Sequence, residues 1–204
     1  MNRRNASGWI WIVALSLGGW VIPIPAQAQT EIPLDPKESS LNFVGESFLH
    51  NFLGKAAQFT GSAVLDPTAT PALQQATLTF KTASLTTFHL ERDRKMNAWL
   101  GVAAHPSASF LLASVKPISG NYLKASAEHP ARYQVTGTLV LNETAEPLSG
   151  EALAWIEKGE LIVSGKIDVD TLKHGLPQIR EGFMTVGTQV HVEYRFAFVL
   201  PAGA

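Results

Sequence analysis

The chain has 204 residues, no cysteine and a formal net charge of −1. Such a length suits one domain with a real core and leaves little room for two. The missing cysteine excludes disulfides, thiolate metal sites and thiol nucleophiles, and the charge offers no basic field for nucleic acid.

At the N-terminus, Arg3 and Arg4 form a positive region and Trp9 to Ile24 is uncharged. Ala26-Gln27-Ala28 then supplies the small-x-small pattern that signal peptidase reads. This predicts a signal peptide over 1–28, a mature chain from Gln29 and a periplasmic or secreted protein. Pro23 and Pro25 interrupt the segment where a membrane anchor would continue. The predicted peptide holds two of the 16 Lys and Arg and none of the 17 Asp and Glu, so 29–204 carries a net −3.

From Ser40 to Leu200 the apolar residues recur every second position, the pattern of strands with one wet face. The inward sets begin with Leu41 and Phe43, then Phe59, Ala63 and Leu65, then Ala76, Leu78 and Phe80. Tyr133, Val135, Leu139 and Leu141 follow, then Leu148, Ala152, Ala154 and Ile156, then Leu161, Val163, Ile167 and Val169. The last set runs Val190, Val192, Tyr194, Phe196, Phe198 and Leu200. Ser107 to Val115 is strand-like with both parities apolar, so its inner face stays open. Turn signals stand at Asp66-Pro67, Pro117 to Asn121, Glu146-Pro147 and Lys158-Gly159. Between the early strands, Met96, Trp99, Leu100 and Ala103 make one stripe of a helix over 91–104, stopped by Pro106. A weaker stripe of Phe48, Leu49, Phe52 and Leu53 predicts a short helical segment over about 47–54.

The fold class is therefore all-β, about eight antiparallel strands in a sandwich or a barrel. Gly45, Gly61, Gly137, Gly150 and Gly165 all fall on the apolar parity, where a closing barrel bends or keeps room. Ordinary bulges are the competing explanation for any one of them.

No sequence motif of chemistry survives inspection. The six histidines, His50, His89, His105, His129, His174 and His191, show no metal-ligand spacing, and there is no nucleophile elbow or phosphate loop. Asp168 and Asp170 share the wet face of a strand, and Arg92-Asp93 opens the helix, where an acid suits the macrodipole. A container remains: a barrel of about eight strands has room for its own side chains or one small ligand.

Several stretches resemble the YceI-like family of polyisoprenoid-binding, lipocalin-like domains. They are Leu34 to Phe43, Gly54-Lys55 to Gly61, and Ala83-Ser84-Leu85 leading to Arg92-Asp93-Arg94-Lys95-Met96. His105-Pro106 with Phe110, Val135 to Leu139 and Val186 to Val190 complete them. The chain departs from the pattern at Lys95-Met96, where many relatives carry His-Leu, and in a shorter passage from helix to proline. The resemblance implies a lipocalin-like barrel over 29–204, exported, holding an isoprenoid or similar long-chain amphiphile without catalysis, cofactor or metal.

The expected lining is Phe43, Phe59, Leu78, Phe80, Leu139, Ile167, Phe196 and Phe198 on the apolar parity. Met96, Trp99 and Leu100 of the helix and Phe110 of the ambiguous strand join it. The expected partner is an apolar lipid, with transient membrane contact and no nucleic acid. Two alternatives stand beside the carrier: a self-filled barrel that binds a partner through its surface, and a histidine-dependent periplasmic enzyme.

Overall fold

Alternation of apolar and polar residues lets a strand bury one face and wet the other, and nearly all the periodic segments above are strands. The structure is a computed structural model that describes residues 29–47, 51–66, 72–181 and 184–201. In chain order the strands are β1 (Thr30–Pro33), β2 (Ser40–Ser47), β3 (Phe52–Ala56), β4 (Phe59–Leu65), β5 (Leu73–Lys81) and β6 (Leu85–Thr86). After helix α1 (Leu90–Trp99) come β7 (Ser107–Ser119), β8 (Ala131–Leu141), β9 (Thr144–Glu157), β10 (Glu160–Asp170), β11 (Arg180–Glu181) and β12 (Met184–Val199). Hydrogen bonding joins them in the order β1-β4-β5-β7-β8-β9-β10-β12-β2-β3-β6, with β11 beside β12. Residues 1–28, where the signal peptide is predicted, lie outside the described residues.

The sheet curls into a barrel because β3 and β4 are two halves of one bent strand. β3 pairs with β2, β4 pairs with β5, and the corner falls at Ala57-Gln58. Ser84 holds this corner: its Oγ accepts the Gln58 N–H at 3.1 Å and donates to the Lys81 carbonyl at 2.7 Å. A second tie follows β1, where Leu34 bridges Phe198 and the Asp35 N–H donates to the Ala197 carbonyl at 2.8 Å. Counting β3–β4 once, with β5, β7, β8, β9, β10, β12 and β2, the wall is the expected barrel of about eight strands. β1, β6 and β11 are short additions.

Four sequence expectations need correction. Phe52 and Leu53 lie in a strand, not in a helical segment over 47–54, and Phe48 and Leu49 fall outside the described residues. The Phe52 ring lies over Gly45 and the Phe43 ring over Gly54, directly across the β2–β3 pair. Helical backbone would forfeit both seats.

Second, Glu146-Pro147 is no turn. The β8–β9 turn is Asn142-Glu143, both with positive φ (51° and 59°) as a two-residue hairpin requires. Pro147 is tolerated inside β9 because β9 pairs with β10 only from Ala152 onward. That stretch has a free edge on which a missing N–H costs nothing.

Third, α1 ends at Trp99, well before Pro106. Gly101 adopts a left-handed φ of 59° and closes the helix, so Ala103 lies beyond it and is exposed. Fourth, β7 runs through the expected turn at Pro117 as far as Ser119, followed by a short 3-10 turn at Tyr122–Lys124.

The inner face of β7 also resolves. Ala108, Phe110 and Leu112 point inward, and a bulge between Leu112 and Ser114 turns Val115 inward as well. The parity flips mid-strand, so neither face looked apolar throughout.

Packing is unequal along the barrel. One end is filled by Ile32, Leu34, Ala131, Ala154, Leu161 and Phe198, all buried. A small second core of Trp155, Ile162 and Ala197 lies on the parity expected to be wet, packed against Ala125 and Leu153. The opposite end of the barrel is roomy, and α1 lies across it.

Candidate functional site

Beneath α1 the barrel encloses a cavity of about 240 Å³. A single water needs roughly 10–15 Å³ in this measure, so the space would take an extended hydrocarbon and not merely a trapped solvent molecule. The wall is hydrocarbon on every side. β2 contributes Leu41 and Phe43, β5 Ala76, Leu78 and Phe80, β7 Phe110 and Leu112, and β8 Val135, Leu139 and Leu141. β9 adds Leu148 and Ala152, β10 Val163, Ile167 and Val169, and β12 Val190, Val192, Tyr194, Phe196 and Phe198.

Met96, Trp99 and Leu100 line the roof, joined by Leu85 before α1 and by Thr171 and Leu176 after β10. The roof is fixed by one long-range bond: the Trp99 indole N–H donates to the Pro177 carbonyl at 2.7 Å. Leu73, Val135, Ala152 and Val163 also line a separate recess of about 30 Å³ bounded by Tyr122, Tyr133 and Leu161.

Two hydroxyl side chains reach this wall. Thr171 Oγ1 donates to the Thr188 carbonyl at 3.1 Å, which satisfies it within the protein. Tyr194 stacks on Phe196 with centroids 5.1 Å apart, and burial pushes its phenol up to about 12, so it stays neutral. An uncharged interior of this kind favours alkyl or polyene chains and penalises any ionised group that enters without a partner.

Of the residues expected to line the interior, Phe43, Leu78, Phe80, Met96, Trp99, Leu100, Phe110, Leu139, Ile167, Phe196 and Phe198 face this cavity together. Phe59 does not. Its ring packs edge-to-face against Phe196 at 6.2 Å and belongs to the packed end, because β4 leaves the wall there for the corner. Leu85, Thr171 and Leu176 lie outside the periodic runs: Leu85 opens the two-residue β6, too short to alternate, and the other two sit in the connection after β10.

The glycines expected to bend the strands or keep room divide. A Cβ at Gly45 or Gly137 would collide with the ring of Phe52 or Phe110, and one at Gly165 with Tyr194; Gly54 seats Phe43 in the same way. Gly61 instead meets Leu78 and the Thr77 carbonyl, and Gly150 has only ordinary contacts from 3.4 Å outward.

Among the described residues, the histidines do not converge. His174 is buried with Nδ1 3.1 Å from the Thr144 carbonyl. His191 lies on the outer face, its Nδ1 2.6 Å from Asp168 and its Nε2 3.4 Å from Glu46. Among the described residues, no group of three or more His, Asp or Glu is placed to hold a metal ion.

Arg92 and Asp93 have structural work. Asp93 accepts from the Thr86 hydroxyl (2.7 Å), the Thr87 N–H (2.7 Å) and the Thr87 hydroxyl. Arg92 donates to the Thr87 hydroxyl and carbonyl, each at 2.7 Å. Partial burial pushes the Asp93 carboxyl up, but these hydrogen bonds and the neighbouring Arg92 outweigh it and leave it below the ordinary value of 3.8.

An antiparallel barrel, closed at one end by its own core and holding an apolar chamber under a helix at the other, is a lipocalin-like fold. The chain belongs to the YceI-like domain family, whose model matches residues 33–198. The YceI protein of Salmonella agona is 30% identical over 156 residues, covering 74% of this chain and 72% of that protein. A relative from Pectobacterium atrosepticum is 28% identical over 117 residues, 56% of this chain, and the match spans 53% of its own length.

Among solved structures, Burkholderia cenocepacia BcnA superposes with a TM-score of 0.68 at 18% identity, over 80% of this chain and 98% of that one. A polyisoprenoid binding domain from Saccharophagus degradans, implicated in plant cell wall breakdown, superposes with a TM-score of 0.63 at 16% identity. That match covers 83% of this chain and 98% of that one. At these identities the likeness is one of fold.

Proposed function

We propose that the protein is an exported carrier that holds one apolar lipid, a polyisoprenoid or similar long-chain amphiphile, inside the barrel, and that it binds without catalysing a reaction. The observation that carries this reading is the cavity under α1, about 240 Å³ and walled by hydrocarbon. An apolar occupant would cover this wall and remove it from water, a gain of roughly 25 cal/mol for each Å² covered. A barrel meant to act only through its surface would gain stability by filling itself, as the opposite end does.

The isoprenoid class follows the description of the Saccharophagus degradans domain, and the cavity walls suit it. Export rests on the N-terminal segment with its Ala26-Gln27-Ala28 site.

Purification without detergent, followed by organic extraction and mass spectrometry, tests the carrier. Near-stoichiometric prenyl lipid is expected, and a protein that neither carries lipid nor takes up added polyprenol refutes it. Intact-mass measurement of exported protein tests the predicted start at Gln29.

A further inference from the structure

The connection from β6 to α1 carries an arrangement that lipid storage does not require. Phe88 is 66% exposed and Leu90 82% exposed. Lys55 lies over the Phe88 ring, and Leu53, two residues before it on the same face of β3, is itself 57% exposed. Leu53 and Phe88 thus share one outer surface, with exposed Leu90 two residues further along the chain at the start of α1. Solitary exposed hydrophobics are ordinary, whereas a contiguous group marks an interaction surface.

The backbone is bent to produce this. Phe88 has φ of 61°, the left-handed region that a bulky residue adopts at a cost, and no burial of its ring repays it. The conformation is held by the Arg92–Asp93 clamp on Thr86 and Thr87 and by the Thr86 hydroxyl, which accepts the Phe88 N–H at 3.1 Å. The helix-start motif is thereby explained as a mount for the tip.

The charges around the tip are mostly positive. Lys55 lies over the Phe88 ring, 5.5 Å from its centroid, and Arg92 over the Phe52 ring at 5.2 Å. Arg94 and Lys95 follow on exposed turns of α1. The acids in this stretch are both engaged, Glu91 with Arg94 at 3.1 Å and Asp93 in the clamp. Outside the Arg92–Asp93 clamp, Lys55, Arg94 and Lys95 against Glu91 give this surface a positive balance within a chain of net charge −1.

We propose that Leu53, Phe88 and Leu90 form a tip that inserts into an anionic lipid bilayer, with Lys55, Arg94 and Lys95 facing its headgroups. Docking there sets the α1 end of the cavity against the membrane from which an apolar cargo is drawn or to which it is returned. The inference rests on the carrier reading. Leu85 just before the tip and Met96 just after it both line the cavity, so the tip and the roof are one continuous piece of chain.

The test is co-sedimentation of the mature protein with phosphatidylglycerol-containing vesicles and with pure phosphatidylcholine vesicles, run beside melting curves with and without solubilised polyprenol. Wild type should favour the anionic vesicles and lose that preference as salt rises. Losing a buried Phe or Leu side chain should weaken partitioning about tenfold or more, so Phe88→Gly with Leu90→Ser should nearly abolish it.

Phe88→Gly alone should keep or raise the melting temperature, because glycine accepts the positive φ. It should weaken vesicle binding while leaving the polyprenol response intact, a combination that a structural role for Phe88 does not produce. If wild type responds to polyprenol but ignores both vesicles, or if the double variant sediments like wild type, the docking proposal falls and the carrier stands. If polyprenol leaves wild-type melting unmoved, both fall.

Discussion

Ala76→Leu separates an open chamber from a packed core. Ala76 sits on β5 where the filled end of the barrel gives way to the cavity, with Ala63 opposite it on β4. Leucine adds three carbons on the inner face. If they enter empty space, each contributes about 0.8 kcal/mol of burial, about 2.4 kcal/mol together. For a domain of this size that raises the lipid-free melting temperature by roughly 5–10 °C.

The same carbons take volume from the ligand. At a hundredfold excess over Kd, lipid stabilises wild type by about 2.7 kcal/mol, and a tenfold loss of affinity reduces that to about 1.4 kcal/mol. Scanning calorimetry of lipid-stripped protein with and without polyprenol reads both numbers. The signature is therefore a variant more stable when empty and less responsive when loaded. A packed wall gives the opposite sign, because overfilling costs typically 1–3 kcal/mol. A fall in the lipid-free melting temperature with an unchanged lipid response refutes the reasoning.

Four further outcomes are expected. Phe80→Ala should cost clearly less than the roughly 3–5 kcal/mol of a fully packed phenylalanine in urea denaturation. Lys81→Ala, on the outer parity, should stay within about 0.5 kcal/mol of wild type. Because the folded Asp93 carboxyl lies below 3.8, its contribution is present above that value and lost as pH falls through the lowered one. Asp93→Asn should therefore flatten the acid limb of a melting-temperature series. The Asp168 hydrogen bond, then its charge, raises His191 above 6.5, so its stabilisation is present below 6.5 and lost as pH rises through the raised value. An NMR titration should place the His191 midpoint above 6.5, and Asp168→Asn should bring it back down.

Much of the wall was legible because a strand that is wet outside and apolar inside writes its geometry into alternate residues. That logic reached Phe43, Leu78, Leu139, Ile167, Phe196 and Phe198, which all face the cavity. It failed where period two breaks. A bulge shifts β7 after Leu112, another irregularity lets both Leu73 and Ala76 face inward, and Phe59 stands at the corner of a strand divided between two neighbours. It also failed at Trp155 and Ile162, which are buried on the outer parity because other parts of the chain cover them. Coverage from outside leaves no trace in a strand's own alternation. The exposure of Phe88 was likewise unreadable, since it depends on a backbone angle fixed by Arg92 and Asp93 further along the chain.

The rings of Phe43 and Phe52, each laid on the glycine across from it, work as a key cut for one alignment of β2 with β3. A two-residue slide would keep every side chain on its proper face, so alternation alone does not forbid it. Moved one way, Phe43 meets Phe52 and two rings compete for one site; moved the other, Gly45 meets Gly54 and two hollows face each other unfilled. Shape within the strands thus selects one alignment, and Phe43 keeps its place in the chamber wall only while the glycine opposite leaves its ring a seat.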